Sequence, residues 1–488
     1  MGHLAAIAAL AMSGPATAAD VETHLRVTTV GLVDLQWDRP GEDLGEVRTW
    51  VDGGASGPTA HGRWQLQIWG RHELLAGQAP QGDMEAAWEV VPGESGWEGR
   101  AGPGMLRAGY LVERWGNLDL LSTLDVLNGR DLRAGPLTPL ERLRVPSTLL
   151  RYQLGGAQSR AELTVLPFGA RDQVGVWGTD LSLVRQGMAE GLARDVQSWP
   201  GDGFSDNTLH GLASAVERSL RDLDAQTRRG AEAAFAQRGR PRALGESIDV
   251  AGRLETTMGR VDAAVVGAWM RNRQPLATAS PAMVAYLRTQ TLPTLADQDA
   301  LLNGDSTTRA SWPRTGLAGL ELATVLGSLG IRSESALWTD RVVTRQWLQG
   351  ATRPMLAQGL AVDRAWGTWL TVAAEGRWSH LFDAPQDTMM MGIPNTFEAA
   401  LAARADVARG RLSPELGGVA NLTFREVTLR PGLRWRVTDV WEVGAGASLW
   451  LAEGPAAVDW QDALTWEGGP IGYAHDTDAA WLSVSWIQ

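Results

Sequence analysis

The 488-residue chain contains no cysteine, and all 44 of its basic residues are arginine, with no lysine anywhere. Without cysteine, a disulfide framework, a zinc–cysteine site, covalently attached c-type haem and a cysteine nucleophile are all excluded. The lack of lysine reads as a codon bias rather than a function. The formal net charge is -12, with no basic tail, which argues against a nucleic-acid partner. No run of 18 apolar residues follows the N-terminal segment, so a helical membrane span is not expected. Tyrosine and phenylalanine are scarce, at 4 and 6 residues. The motifs G-x-S-x-G, P-loop, H-E-x-x-H and C-x-x-C-H are absent. The seven histidines (His3, His24, His61, His72, His210, His380, His475) are scattered singly, none at metal-ligand spacing with another. His380 beside Ser379 is the one pair that suggests a hydrolase, and a structural role fits it better. No catalytic residue, metal or cofactor is expected. Met389–Met391 reads as a packed loop tip.

What the chain has in excess is tryptophan, 23 residues, a side chain suited to surfaces where one edge is apolar and the other wet. Residues 1–19 read as a signal peptide: apolar from Leu4 to Met12, broken at Gly14 and Pro15, then small-x-small at Ala16-Thr17-Ala18. Its front carries His3 but no arginine.

From there, apolar and polar residues alternate in segment after segment, the period-two pattern of strands with one apolar face. In 427–437, Val427, Leu429, Leu433, Trp435 and Val437 share one face, and Thr428, Arg430, Arg434 and Arg436 share the other. In 441–451, Val443, Ala445, Ala447, Leu449 and Leu451 oppose Glu442, two glycines and Ser448. In 397–408, Phe397, Leu401, Ala403 and Val407 oppose Glu398, Arg404 and Asp406. Segments 62–70, 104–115, 248–255, 260–270, 317–326, 330–340 and 368–381 read the same way. The last strand, 478–488, turns Leu482, Val484 and Trp486 outward.

Such lengths suit tilted strands crossing a bilayer. The polar faces set arginine beside carboxylate at i, i+2: Arg253 with Glu255, Arg332 with Glu334, Glu375 with Arg377, Arg404 with Asp406. A solvated sheet surface would also do this, but the opposite faces are almost free of charge, which favours a wet lumen. The expectation is an all-β transmembrane antiparallel barrel over 20–488 of about 18 strands, with 16 or 14 as alternatives. Its expected pore-lining residues are Arg107, Glu113, Arg151, Glu162, Arg253, Glu255, Glu321, Arg332, Glu334, Glu375, Arg377, Glu398, Arg404, Asp406, Arg430, Arg434 and Arg436. Arg430, Arg434 and Arg436 form a basic ladder expected beside Glu398, Asp406 and Glu442.

Connections alternate short and long when counted back from the C-terminus. The pattern includes a short turn at Pro167–Ala170, and it bends at 425–427 and Gly155–Gln158. Two regions break the alternation. Segment 116–146 carries Asn128-Gly129 and three prolines, and by parity it starts at the short-turn, periplasmic end, as an inward constriction or a cap there. Within the insertion 186–245, Leu209, Leu212, Val216, Leu220 and Leu223 recur at helical spacing over 206–239, an amphipathic helix serving as lid, plug or surface helix.

Residues 105–168 resemble an uncharacterised family of proteobacterial outer-membrane proteins grouped loosely with porins. The resemblance rests on Gly109 and Trp115-Gly116, the D-x-L-N-x-x-D-L-R run from Asp125 to Arg133, Arg144-Val145-Pro146, and a strand ending at Pro167. Arg314 and Glu334 resemble that family's later hairpin. The resemblance implies a pore-like barrel and no assigned catalytic residue. The expected setting is a Gram-negative outer membrane, with lipid and a small hydrophilic solute as partners; a protein partner or homo-oligomer stays open. The competing expectation is a plugged barrel acting as scaffold for a periplasmic or surface partner.

Overall fold

The structure is a computed structural model that describes residues 21–35, 45–76, 88–132, 143–156, 158–169, 171–174, 188, 191–192, 194–195, 206–228, 248–289, 308–389, 393–454, 457, 459–473 and 477–488. The signal segment and 229–239 lie outside them.

The barrel strands follow in chain order, and all are antiparallel. They are β1 (Glu22–Asp34), β2 (Gly45–Thr59), β3 (Gly62–Ala76), β4 (Trp88–Pro92), β5 (Ser95–Ala101) and β6 (Gly104–Leu111). A two-residue ribbon, β7 (Gly129–Arg130) with β8 (Arg144–Val145), stands apart from the wall. The wall resumes with β9 (Ser147–Gly155), β10 (Ser159–Phe168), β11 (Asp249–Met258) and β12 (Val261–Arg271). A second ribbon pairs β13 (Leu276–Ala279) with β14 (Thr308–Ser311). The remaining wall strands are β15 (Arg314–Leu326), β16 (Leu329–Val343), β17 (Ala351–Trp366), β18 (Leu370–Leu381), β19 (Asn395–Ala405), β20 (Leu412–Asn421), β21 (Glu426–Arg436), β22 (Trp441–Ala452) and β23 (Ala479–Ile487).

Strands β4 and β5 both pair with β3, over different residues, so they form one stave broken at Gly93-Glu94. With β1 paired to β23, the ladder closes on itself as 18 staves. Closure leaves no strand edge, which is the condition for a sheet to stand in hydrocarbon.

The two faces are inverted relative to a water-soluble protein. On the outside Leu254 is 64% exposed, Val265 58%, Leu482 57% and Leu360 53%, while on the inside Glu321 and Glu334 are each 1% exposed. A whole outer face of apolar side chains at such exposure suits contact with lipid, and carboxylates so covered need partners inside. Strands 427–437, 441–451, 397–405 and the last strand face as the alternation requires.

One end of the barrel carries short turns, such as Gly259-Arg260 and Gly327-Ser328; Gly259 and Gly327 hold positive φ there. The other end carries the connections 112–146, 169–248, 272–313, 344–350, 382–394, 422–425 and 453–478. Two readings of the connections are corrected. Pro167 lies within β10, and no turn at Pro167–Ala170 leads to another stave; β10 pairs directly with β11. Counting that extra crossing shifted parity for everything upstream. Segment 116–146 therefore starts at the long-loop end, and Gly155–Gln158 is an ordinary short turn. The 104–115 strand also ends earlier, at Leu111, because 112–128 leaves the wall. The link before β21 is short at the long-loop end, as the sequence indicated.

Candidate functional site: the charge-lined lumen

Each strand-borne residue expected to line the lumen sits on the inner face, opposite the exposed apolar set. Glu113 lies two residues beyond β6, and Asp406 one beyond β19. Arg107 and Arg151 are cross-strand neighbours of like charge, and Glu113 reaches between them, 2.7 Å from Arg151 and 3.5 Å from Arg107. Burial lifts the Glu113 carboxyl above the usual range, although Arg151 and Arg107 pull it down. Arg107 also meets Glu94 and Glu98. Farther round, Arg160 bridges Glu162 (3.2 Å) and Glu255 (2.6 Å), and Arg253 bridges Glu255 (2.8 Å) and Glu321 (2.7 Å). Arg377 pairs with Glu398, Arg404 with Asp406 (3.1 Å), and Arg434 with Glu415.

Of the four i, i+2 pairs, two bond as expected. Arg332 instead meets Asp119 (3.0 Å) and Asp363 (3.2 Å), and Glu334 and Glu375 turn to the chain segment that enters the lumen. The basic ladder keeps different company too. Arg434 takes Glu415, Glu398 takes Arg377, and Asp406 takes Arg404 and Ser413. Arg436 lies in register with Glu442. Among the described residues, Arg430 has no ion-pair partner.

The segment 112–128 is a finger folded into the barrel. Counting β4 and β5 as one, it leaves β6, the fifth stave, and touches β18, the thirteenth of 18. Three wall glutamates receive its backbone. Glu321 accepts the N–H of Gly116 (3.3 Å). Glu334 accepts those of Asn117, Leu118 (2.6 Å), Thr123 (2.8 Å) and Leu124 (3.3 Å), and the hydroxyls of Ser122 and Thr123. Glu375 accepts those of Asp119, Leu120 and Leu121 at 2.8–3.0 Å. Glu321 and Glu334 are cross-strand partners, so two like charges are held side by side only because donors surround both. Gly116 has φ +90 and a side chain there would run into Glu334.

Apolar contacts lock the same finger. Trp115, Leu124 and Leu127 pack on Leu149, Leu166, Val266 and Trp338, and Leu118 and Leu121 pack on Ala361 and Ala400. Asn128 closes the finger's base, donating to the carbonyls of Leu111 and Val145 and accepting from the Glu113 N–H. Asp125 pairs with Arg144 at 2.6 Å. Thus Trp115-Gly116, Asp125, Asn128 and Arg144, residues that carry the family resemblance, are the residues that shape the finger. Below it, a cavity of about 650 Å³ is lined by Asp119, Arg260, Asp262, Arg332 and Asp363. Another of about 800 Å³ is lined by Arg63, Gln65, Glu98, Arg100 and Arg107.

The sequence did not reveal Asp119, Asp249, Arg273, Glu415 or Glu426 as functional. Asp249, fully buried, gathers Arg273 (2.7 Å), Arg171 (3.7 Å) and Arg314 (3.9 Å) at the finger's base, and Arg273 donates to the Val126 carbonyl. Burial, with Arg273 nearby, brings Arg171 down to about 9. Glu415 was legible in the alternation of 412–418; the others are joined through contacts distant in sequence.

Over the long-loop end lies a cap. Its helices are α1 (Asp206–Arg228), α2 (Pro281–Thr289), α3 (Trp460–Thr465) and α4 (Pro470–Tyr473). Val216, Leu220 and Leu223 of α1 are buried with Met283, Leu287, Leu348, Trp460 and Leu464 in one apolar cluster. These side chains come from connections after β10, β12, β16 and β22. The second and last of these leave the ring eight staves apart, so the cluster bridges the mouth. Trp347 and Trp460 meet edge to face at 6.5 Å across it. Glu426 ties the cap to β21 by accepting the N–H groups of Gly469 and Ile471. The side chains of Leu209 and Leu212 lie outside the described residues. Met389 is buried; Met390 and Met391 lie outside the described residues. Ser379 and His380 point to opposite faces of β18: His380 faces out between Trp378 and Phe382, and Ser379 bonds Thr396. They form no catalytic pair.

No protein-family model matches the chain, and no curated protein is similar to it in sequence. Solved structures are similar to it over nearly the whole chain, at low identity. Acinetobacter baumannii OccAB4 is 8% identical, covering 96% of this chain and 98% of its own, with a TM-score of 0.49. Pseudomonas aeruginosa OccK9 (OpdG) is 10% identical, covering 96% and 97%, with a TM-score of 0.46. Salmonella typhi OmpF, solved in complex with daunomycin, is 10% identical, covering 96% and 97%, with a TM-score of 0.39. The barrel itself rests on the closed strand ladder.

Proposed function

We propose that the protein is a porin-like channel of a Gram-negative outer membrane, passing a small hydrophilic solute through a charge-lined lumen that the 112–128 finger narrows. The observation that carries this is the closed wall with inverted faces, apolar outward and arginine–carboxylate inward. The seventeen charged residues expected to line the pore have that role in this reading, and the cap is its lid. Opposed arginines and carboxylates across a narrow lumen set up a transverse field that orients polar solutes and disfavours apolar ones. Membership in the uncharacterised porin-like family that 105–168 resembles is part of the proposal, as is a non-catalytic role. The plugged-scaffold reading is less favoured, because the two cavities leave space beneath the finger.

The test is conductance of the refolded protein in a planar bilayer. Stable current steps, with ion selectivity that shifts on Arg434→Gln, are expected. A folded, inserted barrel that carries no current would overturn the channel reading.

A further inference from the structure

One part of the lumen is built differently from the rest. The inner face of β22 from Trp450 to Gly444 reads Trp450, Ser448, Gly446, Gly444, and that of β23 reads Trp481, Ser483, Ser485. None carries a charge. Elsewhere the inner wall is studded with arginine and carboxylate. Within this neutral lane Trp481 lies on a floor of glycine. A β-carbon on Gly432 would come within 3.3 Å of the indole Cζ2, one on Gly444 within 3.2 Å of Cζ3 and 2.6 Å of the Ser483 Oγ, and one on Gly446 within 2.6 Å of Cζ2 and 2.3 Å of the Pro431 carbonyl oxygen. Gly432 and Gly446 are cross-strand partners, and Gly446 faces Trp481 in register. The benzene half of one indole therefore borders three glycine positions on two neighbouring strands, so the ring lies along the wall, and Trp481 stays partly exposed.

Interior glycines weaken a strand; the Pro431 carbonyl accounts for Gly446, but at Gly432 the ring is the nearest neighbour, which points to a use for the flat geometry. The indole Nε1 atoms of Trp481 and Trp450 and the Oγ of Ser448 are covered yet make no hydrogen bond among the described residues. Trp450 stands four residues farther toward the mouth, about 14 Å along the strand.

We propose that Trp481 is a stacking platform for a neutral pyranose ring, and that the lane from Trp450 past Trp481 to Ser485 is a track for sugar solutes. The C–H face of a pyranose packs on an indole, while its rim of hydroxyls needs both donors and acceptors. Ser483 lies against Gly444, and the Cγ of Arg434 stands 3.7 Å from that glycine's β position, at the platform's edge. This inference rests on the channel reading for its physiological meaning.

The test is binding of maltotriose to the refolded barrel in a sugar-free detergent, followed by tryptophan fluorescence and calorimetry. Saturable binding is expected. Trp481→Ala should weaken it at least tenfold and Trp481→Phe less. Gly432→Ala, whose β-carbon meets the ring before anything else, should also weaken it, while Trp435→Ala on the outer face should change nothing. If Trp481→Ala does not fold, Trp481→Phe and Gly432→Ala decide. The proposal is overturned by absence of binding, by binding indifferent to these changes, or by benzoate binding more tightly than maltotriose and losing affinity on Arg430→Gln. Because no ion flow is needed, binding without conductance would sink the channel reading and keep the platform, and conductance without binding would do the reverse.

Discussion

Replacing Glu334 by glutamine tests whether the finger is held by charge. The substitution keeps shape and changes one oxygen to an NH₂ group, which faces donors wherever it turns. With NH₂ at the Oε1 position the N–H groups of Asn117 and Leu118 lose their acceptor. With NH₂ at the Oε2 position those of Thr123 and Leu124 do, and the Thr123 hydroxyl with them, while the Ser122 hydroxyl keeps Oε1. The milder choice still strands two covered N–H groups at about 1–3 kcal/mol each, or roughly 2–6 kcal/mol of tether. Glu375 and Glu321 hold the remaining backbone donors, so the finger should loosen rather than leave. The wall ladder is untouched, and heat-modifiable migration on a gel should stay as in the parent. In planar bilayers Glu334→Gln should raise single-channel conductance and open-channel noise, with Glu334→Gln/Glu375→Gln raising both further. Unchanged conductance and noise in the double variant would refute a carboxylate-held finger.

As pH falls, Glu113 should protonate before the exposed carboxylates, since burial holds its folded value above the ordinary one near 4.3. For an acid raised in this way, lower pH favours the folded form. Losing the Glu113 charge removes the carboxylate held by Arg151 and leaves Arg107 with Glu94 and Glu98, so reversal potentials should move toward anion preference starting above the usual glutamate range, and Glu113→Gln should abolish that shift. Asp387 goes the other way: its hydrogen bonds to Arg345 hold it below the usual aspartate range. Its contribution is present above the unfolded value and lost only as pH falls through the lower folded one. The Arg345–Asp387 contact should therefore persist at pH 5, read by protease resistance of 344–350. Trp460→Ala removes a 1%-exposed ring from the cap and should cost about 3–5 kcal/mol of cap stability; limited proteolysis should cut the cap and spare the barrel. Val265→Arg on the outer face should cost about 2–4 kcal/mol in lipid, measured by urea titration in vesicles, and no loss there would refute its lipid exposure.

Much of the wall was legible because a strand's inside and outside are written at period two. Val427 to Val437 and Phe397 to Ala405 show this. The pairings Arg253–Glu255 and Arg404–Asp406 were also legible, since both partners project from one strand. Glu334 and Glu375 were legible as inward carboxylates but not as finger anchors, because their donors come from more than 200 residues away. Parity failed at Pro167, where a proline inside a strand imitates a turn. The finger's path was hidden for a related reason: its donors are backbone N–H groups, and the sequence around Asn117–Leu124 does not show where they point. The glycines under Trp481 looked like mere gaps in an alternation until a neighbouring strand supplied the ring.

The seam between β1 and β23 carries a consequence for protein engineering. Leu25 and Gln488 exchange both backbone hydrogen bonds, at 3.0 and 2.9 Å, so the first and last staves are stitched like any other pair. A short peptide joining Gln488 to Val21 would turn the chain into a ring without disturbing the wall. The ring could then be opened at a short turn such as Gly327-Ser328, making β16 the first stave and β15 the last. Such permutants would show whether the order of synthesis matters to assembly, since every wall contact is kept and only the strand that must arrive last is changed.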